Sequence, residues 1–339
     1  MNGYSTRSKP IFVAAIVDSF AQVQRPSRNT MTFISIVTPC YNELENVEEI
    51  YRQIKTIMSE VADIEFEHIF IDNASNDGTV AVLRRLAKED KRVKVILNTR
   101  NFGPVRSPYH ALLQCTSEAV IILSSDLQDP LSLIPQFIKK WKEGYKVVMG
   151  VKTESEESPI VYALRTLYYW ALRAFSEVDL VAHATGFGLY DQAVIQKLRT
   201  LQDSYPYFRG LIAELGYEYT TIAYKQPKRV SGVSKADFYT LYNLAMLGLT
   251  SHSRLPLRLA GMIGFLSSLI SFLIGMAYLI YKLVDWQNFS LGIAPVTVGL
   301  FFFASVQLIF LGVIGEYIGA IYTQVLKRPL VVEQERINF

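Results

Sequence analysis

Two apolar stretches near the C-terminus constrain this chain more than any other feature. Leu259 to Tyr281 runs for about 23 residues and Phe289 to Gly315 is longer; each exceeds the ~20 residues that span the hydrocarbon core of a bilayer. Only Lys282 to Asn288 separates them, so they are predicted to form a membrane hairpin. Arg254 and Arg258 precede it, and Lys327 and Arg328 follow it, while the connecting loop carries one lysine and one aspartate. The positive-inside rule then puts both ends of the hairpin, and the large domain before it, on the cytoplasmic side of a cell (inner) membrane. Gly315-x-x-x-Gly319 and Gly264-x-x-x-Ser268 are small-x-x-x-small patterns that let helices approach closely, so a homo-oligomer is expected.

The remaining composition excludes several classes. Charged residues make up 19% of the 339, below the roughly 25% of soluble domains, and the deficit lies in the last quarter. A net charge of +3 without a basic run gives no support for a nucleic-acid partner. Cys40 and Cys115 have no partner spacing and read as reduced thiols. His68, His110, His183 and His252 lie far apart without ligand spacing. Residues 1–30 lack a signal-peptide pattern and are read as an N-terminal tail, with Met31 an alternative start.

From residue 33 strand-like and helix-like segments alternate. Strands are predicted at Phe33–Val37, Phe66–Ile71, Val93–Leu97, Ala119–Leu123 and Lys146–Met149. Helices are predicted at Leu44–Met58, Asp77–Lys88 (capped by Ser75 or Asn76), His110–Cys115 and Leu131–Trp141. This βαβα order implies an α/β fold with a mostly parallel sheet covered by helices. Two further segments, Ile160–Phe175 and Phe238–Leu249, mix apolar and aromatic residues and read either as interfacial helices or as ordinary core helices. The resulting division is a tail (1–30), an α/β domain (31–236, with a possible interfacial helix at 160–176), a juxtamembrane amphipathic helix (237–256), two membrane helices (257–322) and a cytoplasmic tail (323–339).

Four polar motifs follow the first four strands: Pro39-Cys-Tyr-Asn-Glu43, Asp72-Asn-Ala-Ser-Asn-Asp-Gly78, Arg100-Asn-Phe-Gly103 and Ser124-Ser-Asp-Leu-Gln-Asp129. In open α/β sheets ligands bind outside the strand carboxyl ends, so the four are read as one site. Neither G-x-G-x-x-G nor G-x-x-x-x-G-K-[ST] is present, which argues against a dinucleotide fold and a P-loop. Asp126 with the amide of Gln128 suits a hard divalent metal carrying phosphates; helix capping is the plainer alternative for Asp126, and more so for Asp129. Arg229 and Lys235 flank Ser231-Gly-Val-Ser234, small residues whose backbone N–H groups can meet an anion. Arg209, beside Tyr205-Pro-Tyr-Phe208, is a further phosphate candidate.

As a set, Pro39-x-Tyr-Asn-Glu43, Asp72-x-x-Ser-x-Asp-Gly-Thr79, Arg100-Asn-Phe-Gly103, Asp126-Leu-Gln-Asp-Pro130 and Arg229-x-x-Gly-x-Ser-Lys235 resemble the GT-A family 2 glycosyltransferases. Within that family the chain is most similar to the polyprenyl-phosphate sugar transferases, the dolichol-phosphate mannose synthases and bactoprenol glucosyltransferases, over about residues 33 to 325. The resemblance implies a GT-A domain, a nucleotide-sugar donor held by Pro39, Tyr41, Glu43, Asp72, Asn101 and Ser125, and Mg²⁺ or Mn²⁺ on Asp126 and Gln128. It implies Asp126 and Asp129 as catalytic carboxylates, and Arg209, Arg229, Ser234 and Lys235 near acceptor or donor phosphates. The chain departs from the family at Ser124, where relatives carry an aspartate, at Pro104-Val105 in place of Lys-Glu, and at Gly186-Phe-Gly-Leu189 in place of Asp-Phe-Arg-Leu.

The expectation is an inverting, metal-dependent transfer of a sugar, with glucose from UDP-glucose as first choice, to undecaprenyl phosphate in the membrane. Mannose or an aminopentose fits the same motifs. A processive polysaccharide synthase would carry Gln-x-x-Arg-Trp and more membrane helices. A non-catalytic membrane nucleotide sensor is the alternative from another class.

Overall fold

A computed structural model describes residues 31–154, 180–181, 183–227, 238–284 and 293–339. Its centre is a parallel set of strands: β1 (Thr32–Cys40), β2 (Ile64–Asp72), β3 (Val93–Asn98) and β4 (Ala119–Ile122). Ile34, Ile36 and Val37 of β1 and Ile69, Phe70 and Ile71 of β2 are all buried, since helices cover both faces and leave no polar side to alternate with. The covering helices are α1 (Val47–Glu60), α2 (Thr79–Glu89), α3 (Gly103–Gln114) and α4 (Ile134–Lys142). Val47, Ile50, Ile54 and Met58 of α1 recur at helical spacing and are the residues it buries.

The second half adds β5 (Val147–Glu154), β6 (Ala184–Asp191), α5 (Gln192–Leu201), α6 (Phe208–Leu215) and β7 (Tyr219–Lys225). The sheet order is β7-β5-β6-β4-β1-β2-β3-β8. The sheet is mostly parallel, as expected, but β6 runs antiparallel between β4 and β5. Gly188 makes that insertion possible: a Cβ there would lie 2.3 Å from the Val148 carbonyl oxygen.

Two local differences from the sequence expectation have plain causes. The helix expected only at His110–Cys115 begins at Gly103, because Pro104 stands in its first turn, where a missing N–H is harmless, and Pro108 is absorbed inside it. Residues 333–337, expected within a tail, form β8 (Glu333–Ile337) and pair antiparallel with β3. Their polar sequence hid them: an edge strand keeps one face in water, and on its surface Glu335 bonds Arg84, Glu333 bonds His110 and Arg336 bonds Gln114. The Asn338 side chain closes the edge by donating to the Ala87 and Val93 carbonyls, at 2.6 and 2.8 Å.

Before β8 the chain forms α7 (Phe238–His252), α8 (Leu255–Val284) and α9 (Ile293–Val325). The apolar windows of α8 and α9 have mean hydropathies of 2.1 and 2.2, and none of either window is buried inside the molecule. Phe265, Phe272, Leu300 and Phe301 all point outward, which fits lipid as the surrounding solvent and associates the protein with a membrane. Gly264 sits at the crossing of the pair, its absent Cβ 3.5 Å from Phe310. Tyr242 of α7 donates to Glu316 of α9 at 2.8 Å, and Tyr317 of α9 donates to the Ser253 carbonyl at 2.6 Å. Phe238–Leu249, left open between interfacial and core, thus lies against the long apolar helix α9. Ile160–Phe175 lies outside the described residues.

His68 on β2 is buried, its Nε2 2.9 Å from the Thr38 hydroxyl and its ring 3.8 Å from that of Phe70. Burial pushes its pKa down to about 3, from an ordinary 6.5. The unfolded chain therefore takes up a proton below about pH 6.5 that the folded chain refuses down to about pH 3. Stability should fall as pH drops through that window, by about 1 kcal/mol per pH unit. His68→Gln should lose this part of the slope in urea unfolding of the detergent-solubilised protein at pH 7.5, 5.5 and 4.5. Equal slopes would contradict a neutral buried imidazole.

Candidate functional site

Strand register decides which loops meet. Cys40 at the end of β1 pairs level with Asp72 at the end of β2, Asp72 with Leu97 of β3, and Val37 with Ile122 of β4. The four polar motifs therefore emerge side by side along one sheet edge.

The first three grip one another. The Ser75 hydroxyl accepts the Asn42 N–H at 2.7 Å, the Thr79 hydroxyl accepts the Glu43 N–H at 3.0 Å, and Asp77 accepts the Leu44 N–H at 3.1 Å. In return the Asn42 side-chain oxygen accepts the Asn76 N–H at 2.8 Å. Asp72 is buried and its carboxylate accepts both the N–H and the hydroxyl of Ser75, at 2.9 and 2.5 Å. Burial raises its pKa above the usual carboxylate range, against the pull of those two bonds. Asn73 reaches the third loop: its Nδ2 donates to Asn101 Oδ1 at 2.8 Å and its Oδ1 accepts the Phe102 N–H at 2.9 Å. Asn42 and Ala74 hold φ of +55° and +63°, a left-handed region that costs a non-glycine residue about 1 kcal/mol or more and that clusters at functional sites.

The fourth loop follows β4. Leu127 is also left-handed, with φ of +57°, and its side chain packs on the core under β1 and β4. That kink leaves its neighbours Asp126 and Gln128 on the wall of a cavity of about 420 Å³. Asp126 Oδ1 accepts the Gln128 N–H at 3.1 Å and lies 2.7 Å from the Ser124 hydroxyl. Asp129 is buried behind it, accepting the Ser124 N–H at 2.8 Å and the Tyr224 hydroxyl at 3.3 Å, with the Ser124 hydroxyl also 2.8 Å away. Ser124 has one hydroxyl hydrogen for two carboxylates. Burial pushes the Asp129 pKa up, which favours the acid form there.

Among the sequence-predicted residues, Pro39, Asp126, Gln128, Asp129 and Arg209 meet at this cavity. Tyr41, Glu43, Asp72, Asn101 and Ser125 lie in the loops around it but do not line it. Glu43 accepts the Asn46 side-chain amide at 2.7 Å, at the start of α1, and Asn101 also accepts the Gly103 N–H at 2.8 Å. Arg209 donates to the Ala184 carbonyl at 2.9 Å. Arg229, Ser234 and Lys235 lie outside the described residues. Sequence reasoning missed Lys152, Thr185, Gln226 and Leu244, which also line the cavity. Lys152 was within reach, since β5 continues past Met149 to Glu154.

The residues present fit a divalent cation of the magnesium type. Two carboxylates (Asp126 and Asp129) and two amides (Gln128 and Gln226) line the cavity, and no group of three or more His, Cys, Asp or Glu side chains able to hold a metal occurs among the described residues. Mg²⁺ commonly takes one or two protein carboxylates and fills its shell with water and substrate phosphates.

The loop clasp generates a direct test. Asp77→Ala removes the acceptor for the Leu44 N–H and for the N–H and hydroxyl of Thr79. It should lower unfolding stability by about 1–2 kcal/mol and weaken nucleotide binding measured by calorimetry. Unchanged values for both would show that the loops hold without it.

Comparison with known proteins identifies the family. A family model described as Glycosyl transferase family 2 matches residues 35–198. The chain is 33% identical to an uncharacterized glycosyltransferase, YkcC, of Bacillus subtilis (strain 168), over 89% of this chain and 93% of the relative. It is 32% identical to the bactoprenol glucosyl transferase of Shigella phage SfX, over 89% of this chain and 99% of the relative. Among solved structures it is similar to glucosyl-3-phosphoglycerate synthase from Mycobacterium tuberculosis in complex with Mn²⁺, uridine diphosphate and phosphoglyceric acid, at 18% identity and a TM-score of 0.47, over 65% of this chain and 76% of that one.

Proposed function

We propose that this chain, which belongs to the family 2 glycosyltransferases and is a glycosyltransferase, moves a sugar from a nucleotide-sugar to a polyprenyl phosphate at the cytoplasmic face of the membrane. The observation that carries this reading is the position of the Asp126–Gln128 cavity. One wall is the ligand edge of an α/β sheet, and another includes Leu244 of α7, the helix that docks on membrane helix α9. A water-soluble donor and a bilayer-bound acceptor can meet there. The likeness to a bactoprenol glucosyl transferase supports the same acceptor class and makes UDP-glucose and undecaprenyl phosphate the first substrates to try.

The chemistry follows from the acceptor. A phosphate oxygen attacks the anomeric carbon from the face opposite the nucleotide, the bond from that carbon to the diphosphate oxygen breaks, and the nucleoside diphosphate leaves, so configuration inverts. A phosphate monoester with a second pKa near 6 is mostly a dianion at pH 7, so no carboxylate need take a proton from it. Gly186, at the place where relatives carry an aspartate, is compatible with that. Asp126 and Gln128 would hold Mg²⁺ or Mn²⁺, which when bound offsets negative charge on the departing diphosphate. Lys152 and Arg209 add positive charge to the same cavity, and Arg229, Ser234 and Lys235 remain phosphate contacts on sequence grounds. The nucleotide would lie over Pro39, Tyr41, Glu43, Asp72, Asn101 and Ser125. Gly315 and Gly319 line a groove between α9 and α7, and the small-x-x-x-small spacing supports a homo-oligomer on sequence grounds.

The test is thin-layer analysis of lipid product from radiolabelled UDP-glucose, GDP-mannose and a UDP-aminopentose with undecaprenyl phosphate and Mg²⁺ or Mn²⁺. UDP-glucose should label the lipid, and Asp126→Asn should lower the rate about 100-fold, some 3 kcal/mol of barrier, with the circular dichroism spectrum unchanged. Activity of that variant within about twofold of wild type would sink the metal assignment, and no labelling from any donor would favour a nucleotide sensor. At subsaturating acceptor the rate should fall as pH drops through about 6. Disappearance of that limb in Asp129→Asn would instead show that a protein carboxylate acts as base.

A further inference from the structure

A second cavity, of about 430 Å³, lies behind α3 at the end of α9. Leu113 of α3, Leu198 and Leu201 of α5, and Leu330 form its apolar side, and Lys327 and Arg328 its cationic side. Two other charges on its wall are already engaged. Arg199 donates to the Leu113 and Cys115 carbonyls at 2.8 and 2.5 Å, and Asp203 accepts from the Gln324 side chain at 2.5 Å. Lys327 and Arg328 form no ion pair among the described residues.

The turn that presents them is strained. Lys327 has φ of +45°, in the position after a helix where glycine is the ordinary residue. A lysine there costs about 1 kcal/mol. Directly beyond, Arg106 donates to the Pro329 carbonyl at 2.5 Å, and its buried Nε has no hydrogen-bond partner. Burial, with the charges of Arg100 and Arg328, holds the Arg106 guanidinium below the usual arginine range. Cations from two separate segments thus converge on one turn at the end of a membrane helix, backed by leucines.

We propose that this cavity seats the phosphate headgroup of an anionic glycerophospholipid of the surrounding bilayer, bound by Lys327 and Arg328 with its glycerol and upper acyl chain against the leucines. This rests on the membrane-spanning reading of α8 and α9. Basic pockets beside membrane helices bind such headgroups, and the leucine side suits a lipid better than a free anion. Tyr109, buried and donating to the Leu198 carbonyl at 3.2 Å, forms part of the wall of both this cavity and that of Asp126. The lipid fixes the height at which the sheet rides below the bilayer.

Lys327→Gly separates charge from fold, because it removes the cation and relieves the left-handed strain together. Full-length protein in detergent micelles doped with phosphatidylglycerol or phosphatidylcholine is examined by native mass spectrometry, beside Arg328→Gln. Wild type should retain phosphatidylglycerol in preference to phosphatidylcholine. Each variant should lose that preference about fivefold, the worth of one charge at an anionic surface, with Lys327→Gly melting no lower than wild type. Equal retention by both variants would overturn the proposal. So would displacement by soluble glycerol phosphate, which marks a free-anion site, or by undecaprenyl phosphate, which marks an acceptor site. Protein that stays in solution once detergent is removed would refute the membrane reading itself, and this site with it, a result distinct from the other three.

Discussion

Parallel pairing of β1 with β2 and β4 governs the placement of every chemical group described above. With Cys40 level with Asp72 and Val37 level with Ile122, the loops that follow these strands leave the sheet at one edge. Buried β-branched and aromatic side chains on both faces, Ile34, Ile36, Val37, Ile69 and Phe70 among them, pack against the covering helices in that register. The loops then use backbone N–H groups and short polar side chains to hold one another. Ser75, Asp77 and Thr79 satisfy three consecutive N–H groups of the first loop, which would otherwise be costly orphans beside a half-buried site.

The same edge joins the sheet to the pair of long apolar helices. The chain enters that pair through α7, whose Tyr242 donates to Glu316 of α9 while Tyr317 of α9 donates to the Ser253 carbonyl just beyond α7, and leaves it through Lys327 into β8, which completes the sheet beyond β3. The hairpin is therefore fastened at both ends, and the strand that fastens the second end also covers an edge that would otherwise be open to aggregation. A sugar transferase working on a lipid needs this kind of tether, because a shift of about 1 Å between reacting groups can cost two orders of magnitude in rate.

Within the cavity, Ser124 changes the balance among the acidic residues. Its hydroxyl lies 2.7 Å from Asp126 Oδ1 and 2.8 Å from Asp129 Oδ2, so one small polar group serves both carboxylates. Positive charge comes from the other wall, through Lys152 and Arg209.

The α/β class, the first four strands and the two long apolar helices were legible in the sequence because each rests on local pattern: runs of buried apolar residues, helical spacing in α1, and uninterrupted apolar length in α8 and α9. The neighbourhood of Asp126 and Gln128 was legible for the same reason, since a motif after a strand must lie at the sheet edge. Pairings between distant segments were not legible. The placement of β6 depends on Gly188 lying against the Val148 carbonyl, β8 on an edge that tolerates a polar strand, and Lys152 on how far β5 extends. The three-loop clasp also escaped, because Ser75, Asp77 and Asn101 carry the same side chains whether they touch a ligand or a neighbouring loop. Local sequence determined which segments are strands, helices and long apolar helices; tertiary structure decided which loops meet and which side chains line the cavity, because contacts between residues far apart in the chain leave no periodic trace in it.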